Sequence, residues 1–234
     1  MKQSINCLCG IVFSIEIKEE IDLDKESKYL EEINNGTFMS FTCSGCGKKH
    51  KPEYKITLLW KSKNLKLEVL PEPERGEFYR RKKEKFSLKT FLLKTFSKDK
   101  TSKEKVSIET VSLEKVSLET VIGYPEMADR IAVINDDLEP VVIETLKYYL
   151  LAKAEENYPD REINAWYHGK GEAGIEFHLD GIRAGEVAVM KVPWQVYDRT
   201  RENYRKRPKN KIFTSLRSRS YLSVQNLFIS DVLK

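Results

Sequence analysis

Four cysteines constrain this chain more than any other feature, because they are its only thiols and they fall in two tight turns. The first turn is Asn6-Cys7-Leu8-Cys9-Gly10, and the second is Thr42-Cys43-Ser44-Gly45-Cys46-Gly47. Each holds two sulfurs close together, and each has a glycine after its second cysteine, where the backbone must fold back. Four thiolates satisfy the tetrahedral preference of zinc. The expected ligands are Cys7, Cys9, Cys43 and Cys46. Cys43-x-x-Cys46-Gly47 has the standard form of a zinc knuckle, while Cys7-x-Cys9-Gly10 is one residue shorter. His50 is the replacement ligand if the short turn presents a single sulfur. Four protein ligands leave no open coordination position, so a structural centre is expected. The other readings are paired disulfides, free or buried thiols, and a redox pair. Paired disulfides would need a secretory context, which nothing in the chain suggests. A redox Cys-x-x-Cys would need a βαβ setting, which is missing.

Hydrophobic periodicity outlines the rest. Ile11, Phe13, Ile15 and Ile17 alternate, which predicts a strand. Asp24 or Ser27 can cap a helix carrying Tyr29, Leu30 and Ile33, with Gly36 just past its end. Phe38 to Thr42 predicts a strand into the second turn. Tyr54 to Trp60 and Leu65 to Pro71 predict a hairpin around Lys63-Asn64. Residues 72–85 are rich in charge, ending in Arg80-Arg81-Lys82-Lys83 and Lys85, and read as a solvated linker. Seven pentads then run from Phe86 to Thr120 in the pattern apolar, Ser, apolar, charged, polar. Two of them lack the central apolar residue. Seven pentads are few for a stacked solenoid, so a flexible low-complexity insertion is expected.

Beyond it, Arg130 to Ile134 predicts a short strand. Asp136 or Asp137 is the expected cap of a helix over 138–156, with Pro140 in its first turn. Val142, Leu146, Tyr149 and Leu150 should line its buried face, extended by Leu138 and Ala154. Glu162 to Tyr167, Gly174 to Leu179 and Glu186 to Val192 predict a β-meander with Trp166, Phe177, Val187 and Val189 in the core. A last strand is expected from Tyr221 to Ile229. The fold class is therefore α+β: a zinc-ribbon-like β module with one helix, followed by an amphipathic helix and a β-meander. The expected divisions are 1–72, 73–121, 122–196 and 197–234.

These residues also carry a resemblance. The turn before Ile11–Ile17, Ile21-Asp22-Leu23, Gly36-Thr37-Phe38, Phe41 to Gly47, Leu58-Leu59-Trp60 and Val69-Leu70-Pro71 resemble the zinc-ribbon-like half of the prokaryotic CpXC family. Gly123-Tyr124, Glu126, Arg130-Ile131, Asp136-Asp137-Leu138 and Val142 to Lys147 resemble its second half. The family pattern has CPxC at the first turn, where this chain has Cys-x-Cys. The resemblance implies a fold outline and a bound metal, and no particular activity.

Charge narrows the function classes. Across 234 residues the formal net charge is +5, and 33% of residues are charged. That balance suits a water-exposed globular protein and does not by itself require a nucleic acid. No apolar run approaches the ~20 residues of a membrane span. The run from Cys7 to Phe13 is too short for a leader, so the cytoplasm is the expected compartment. The positive charge is concentrated in Tyr197–Tyr221, which holds Arg199, Arg201, Arg205, Lys206, Arg207, Lys209, Lys211, Arg217 and Arg219. Tyr197, Tyr204, Phe213 and Tyr221 are interleaved with them. Cations neutralise phosphates and aromatics stack on unpaired bases, so this segment suggests contact with RNA or single-stranded DNA. The alternatives are an assembly subunit that meets protein through the same segment, and a solvated loop. An enzyme would have to draw on Glu144, Glu176, His168 and His178, which no spacing unites.

Overall fold

The computed structural model describes residues 2–80 and 117–232. The chain opens with a hairpin. β1 (Lys2–Asn6) pairs antiparallel with β2 (Val12–Glu16), closing at Asn6↔Val12 around the first cysteine turn. The alternation read from Ile11 to Ile17 holds at its C-terminal end, where Ile15 and Ile17 are buried. β3 (Glu20–Asp22) follows, then α1 (Lys28–Asn34). Ile33 of α1 is buried, and Gly36 ends the helix at φ +65°, where a side chain would be strained. Ser27 precedes α1 but makes no side-chain cap bond. Asp24 accepts instead from the backbone of Lys61 (2.7 Å) and Ser62 (3.2 Å), capping a short 3₁₀ turn far along the chain. The expected strand Phe38–Thr42 shrinks to β4 (Phe41–Thr42), paired with β5 (Lys49–His50) around the second cysteine turn.

The predicted hairpin forms from β6 (Ile56–Trp60) and β7 (Leu65–Leu70), with Asn64 left-handed at φ +52°. Residues 72–80 are not a free linker. They form a 3₁₀ turn and then helix α2 (75–80), which buries Tyr79. The remaining cations of that run and the pentads up to residue 116 lie outside the described residues.

The last pentad supplies a central strand. β8 (Ser117–Ile122) lies parallel to β7 from Leu65↔Ser117 to Leu70↔Ile122. Parallel neighbours need a long crossover, and residues 71–116 provide it. α3 (Tyr124–Asn135) replaces the expected strand at Arg130–Ile134. Gly123 at its N-cap, Pro125 in its first turn and the buried pair Met127 and Ile131, four residues apart, are helix signals. α4 (Pro140–Asn157) begins after Glu139, because Asp136 ends α3 and Asp137 is left-handed at φ +57°. Its buried face includes Val142, Leu146 and Leu151, whereas Tyr149 is exposed.

β9 (Asn164–Gly171), β10 (Gly174–Arg183) and β11 (Glu186–Pro193) form the expected antiparallel meander. Phe177 is in the core as expected, but Trp166 is only half-buried and Val187 and Val189 are exposed. The opposite face of β11, with Val192 buried, turns inward. A period of two shows that a strand has two faces, and not which one meets the core. The basic segment is folded too: α5 (Trp194–Lys206), α6 (Lys211–Ser215), β12 (Arg217–Ser218) and β13 (Tyr221–Leu222). The expected last strand stops at Leu222. Ser223 Oγ accepts from the Gln225 backbone, and α7 (Gln225–Val232) follows.

The main sheet has the order β12-β13-β8-β7-β6-β3, drawing strands from both sides of the crossover. One apolar core lies between this sheet, the β1–β2 hairpin, α1 and α3. A second joins α4 to the meander, α5, α6 and β13. Among the described residues, no helix is long and apolar enough to cross a membrane.

Candidate metal centre

The two cysteine turns close in the same way despite their unequal length. In each, a glycine N–H donates to the first cysteine's carbonyl: Gly10 to Cys7 and Gly47 to Cys43, both at 2.9 Å. Each first cysteine also donates its own N–H across the hairpin, Cys7 to Ile11 and Cys43 to Lys48, again at 2.9 Å. Gly10 and Gly47 both have positive φ, +88° and +70°, which explains the residue type at those positions. The short turn therefore presents both sulfurs.

The turns face each other. Cys7 and Cys43 are buried, while Cys9 and Cys46 are exposed. The sulfurs meet in crossed pairs, Cys7 with Cys46 at 3.5 Å and Cys9 with Cys43 at 3.6 Å. All four lie within 4.8 Å of one another. These separations are far from the ~2.05 Å of a disulfide bond. A zinc–sulfur bond of about 2.3 Å in a tetrahedron sets a sulfur–sulfur edge of about 3.8 Å, close to both pairs. The four cysteines are thus positioned to bind a metal ion. Gly45 is where the turns touch, since a Cβ there would stand 2.1 Å from Ile11 Cδ1 and 3.8 Å from Cys9 Sγ.

Electrostatics divides the thiols. Backbone amides of Cys46 and Gly45 point at Cys43 and hold its thiol at about 6. Cys7 moves the other way, to about 12. The Cys9 amide lowers it, but burial and the thiols of Cys46, Cys9 and Cys43 outweigh that effect. A metal cation would supply the charge that lets all four sulfurs be thiolates together. Both sulfurs of the short turn converge, so the condition under which His50 would replace one is not met. Its Nε2 lies 3.3 Å from Cys7 Sγ, and its ring packs edge-on against Phe13. That position suits a hydrogen bond to a ligand sulfur from outside the coordination sphere.

A second polar cluster joins residues that no sequence spacing links. Lys147 Nζ bonds to Asp129 and, at 2.9 Å, to Glu144. Arg130 bonds to Glu119 and to the Leu222 carbonyl (2.7 Å). Asp129 also accepts the Tyr167 N–H at 2.7 Å, and Glu144 the Val224 N–H at 2.8 Å. Burial alone would lower Lys147, but Asp129 and Glu144 hold it above the ordinary lysine value. Beside this cluster, Arg75 bonds to Glu72, Glu126 (3.0 Å), the Ile122 carbonyl (2.9 Å) and Tyr221 (2.9 Å). Among the described residues no buried side-chain polar atom lacks a partner. Glu144, an acid-base candidate from sequence, uses both oxygens: it pairs with Lys147 of α4 and Arg130 of α3 and accepts from Val224 ahead of α7. The other three candidates, His168, Glu176 and His178, meet on the outer face of the meander.

The structure also changes the basic segment. Tyr197, Phe213 and Tyr221 are buried, and Tyr204 packs edge-on against Phe213. Aromatic side chains in a core cannot stack on bases. A helical repeat of Trp194, Tyr197 and Tyr204 was the signal for α5. Arg201 pairs with Asp198, Arg205 with Glu139 and Lys206 with Glu202. Arg199, Arg207, Lys209 and Lys211 are exposed and form no ion pair among the described residues.

Fold and centre together define an α+β protein with four convergent cysteines able to hold one metal ion. The family model described as CpXC protein matches residues 5–147, more than half of the chain, and the chain belongs to that family. It is 30% identical over 228 residues to a Treponema pallidum (strain Nichols) protein titled "Uncharacterized protein", covering 96% of this chain and 97% of that one. No solved structure matches the chain.

Proposed function

We propose that this is a non-catalytic zinc protein of the cytoplasm, in which one structural Zn2+ on Cys7, Cys9, Cys43 and Cys46 fixes the N-terminal hairpins. The convergence of four sulfurs at near-tetrahedral spacing carries this reading. Two further considerations support it. Four protein ligands leave the ion no position for substrate. A reducing compartment keeps the thiols available to metal. Elemental analysis of the purified chain should find one zinc per molecule. A Cys43→Ser variant should lose that zinc and the hydrogen-exchange protection of β1, β2, β4 and β5 together. Retention of either would overturn the centre.

The binding activity we assign is phosphate contact with RNA or single-stranded DNA through Arg199, Arg201, Arg205, Lys206, Arg207, Lys209 and Lys211. The exposed cations without ion pairs support it, and the buried aromatics limit it to the backbone. Affinity should therefore vary little with base sequence and fall steeply with salt. A nuclease-treated protein titrated with a short labelled RNA tests this. Binding at low salt that survives replacement of Arg199, Arg207, Lys209 and Lys211 by alanine would sink it. The second reading is a subunit of a larger assembly, which the exposed Val187 and Val189 on the meander support. A protein that co-purifies after nuclease treatment would favour it.

A further inference from the structure

A β-bulge on the meander gathers two of the chain's three histidines. In the β9–β10 ladder Glu176 pairs with Gly169 and Phe177 with Tyr167, which leaves His168 as the extra residue. Bulges re-aim side chains and recur beside functional sites. Here the bulge sets the His168 ring flat on His178, with centroids 3.7 Å apart and planes 15° from parallel. Both Nε2 atoms face one carboxylate oxygen. Glu176 Oε1 lies 3.2 Å from His178 Nε2 and 3.8 Å from His168 Nε2. The three donor atoms lie within 4.8 Å of one another.

We propose that His168, His178 and Glu176 form a second metal site, for a divalent late first-row transition-metal ion, separate from the cysteine centre. Two imidazoles and a carboxylate suit zinc, nickel or copper and disfavour the hard cations magnesium and calcium. All three ligands stand on two paired strands, so little ordering is needed to bind. Lys191 approaches the other carboxylate oxygen, Oε2, at 3.6 Å. It leaves Oε1 to the ion and can orient the carboxylate from behind. Trp166 and Val189 pair with His178 across the ladder and flank the site with apolar surface. Three protein ligands leave coordination positions for water or a small ligand, unlike the closed cysteine centre. Glu144 and the buried ion pairs are fully satisfied and offer no comparable donor set.

The test uses the untagged chain, loaded with a single equivalent of zinc, which the four thiolates take first, and titrated with Ni2+ by calorimetry, with total metal counted afterwards. One saturable equivalent of Ni2+ is expected while the thiolate-held zinc stays bound. His168→Gln, His178→Gln and Glu176→Gln should each weaken Ni2+ at least tenfold, with zinc content and far-UV circular dichroism unchanged. His50→Gln should leave Ni2+ binding as it was. Ni2+ should raise the melting temperature of the native chain and not that of the His178→Gln variant. The site is overturned if the native chain takes up no Ni2+ beyond what displaces zinc, or if the Gln variants bind it as tightly. Failure of the cysteine centre is read separately, as zinc lost from the chain whatever Ni2+ does.

Discussion

The two ends of this molecule are held by different physics. The cysteine hairpins have little to bury: Leu8 is 88% and Val12 62% exposed, and β4 and β5 are two residues each. Their strands lend only Ile5 and Ile15 to the neighbouring core as buried side chains, so in the proposed zinc reading chelation supplies much of their order. The region from β8 to α7 is the reverse. It has a large apolar core and encloses Asp129, Arg130, Glu144 and Lys147, none more than 7% exposed. There no single bond is decisive, but every buried charge depends on its neighbours. With a metal on the four cysteines, one chain would combine metal-dependent order in two small hairpin sheets with packing-dependent order in the region that follows.

Removing metal is the strongest way to break that contrast. Chelation of the zinc-bound chain should unfold the hairpins, since structural zinc contributes about 10–16 kcal/mol in small modules. The meander amides should keep their exchange protection. Collapse of both regions at once would show that they are one cooperative unit. Next in size is Lys147→Met, which strands Asp129 and Glu144 in the interior. A loss of about 3–5 kcal/mol is expected in denaturant unfolding, with zinc content unchanged. A smaller effect would mean that water reaches those carboxylates.

Gly45→Ala sharpens the comparison at the contact between the turns. The new methyl meets the flexible end of the half-exposed Ile11, so a cost of about 1 kcal/mol is expected, with one zinc retained. Loss of the ion would show that the turns have no slack. The smallest effect is at Asp24. Bonds from Ser62 and Lys61 hold its carboxyl below the ordinary 3.8. A lowered carboxyl stabilises the fold above its unfolded value and loses that contribution as pH falls through its folded one. The native chain should therefore be more stable than Asp24→Ala at neutral pH. The gap should close below about pH 4, as seen in melting curves across pH.

Much of this architecture is legible in the sequence alone. The two cysteine turns, the β6–β7 hairpin, α4 and the meander each announce themselves by local spacing, and local spacing is what a linear chain displays. The errors share a cause. Arg130–Ile134 carries the β-branched Ile131, Val133 and Ile134, which suit a strand, yet Gly123, Pro125 and Met127 upstream commit it to a helix. Val187 and Val189 lie on a correctly placed strand whose inward face is the other one. Charge in Tyr197–Tyr221 masked the helical repeat of its aromatics.

By itself the sequence determined the two cysteine turns and most of the element types, because thiol spacing, glycine turns and hydrophobic period are local properties. Only the tertiary structure decided the rest. It joined β7 to β8 across the crossover, paired Lys147 with Asp129, and buried Tyr197 and Tyr221 of the basic segment. It also brought His168 to His178 through a bulge. Each of these depends on which faces meet across long stretches of chain, and that is settled by the packing of the whole rather than by any one segment.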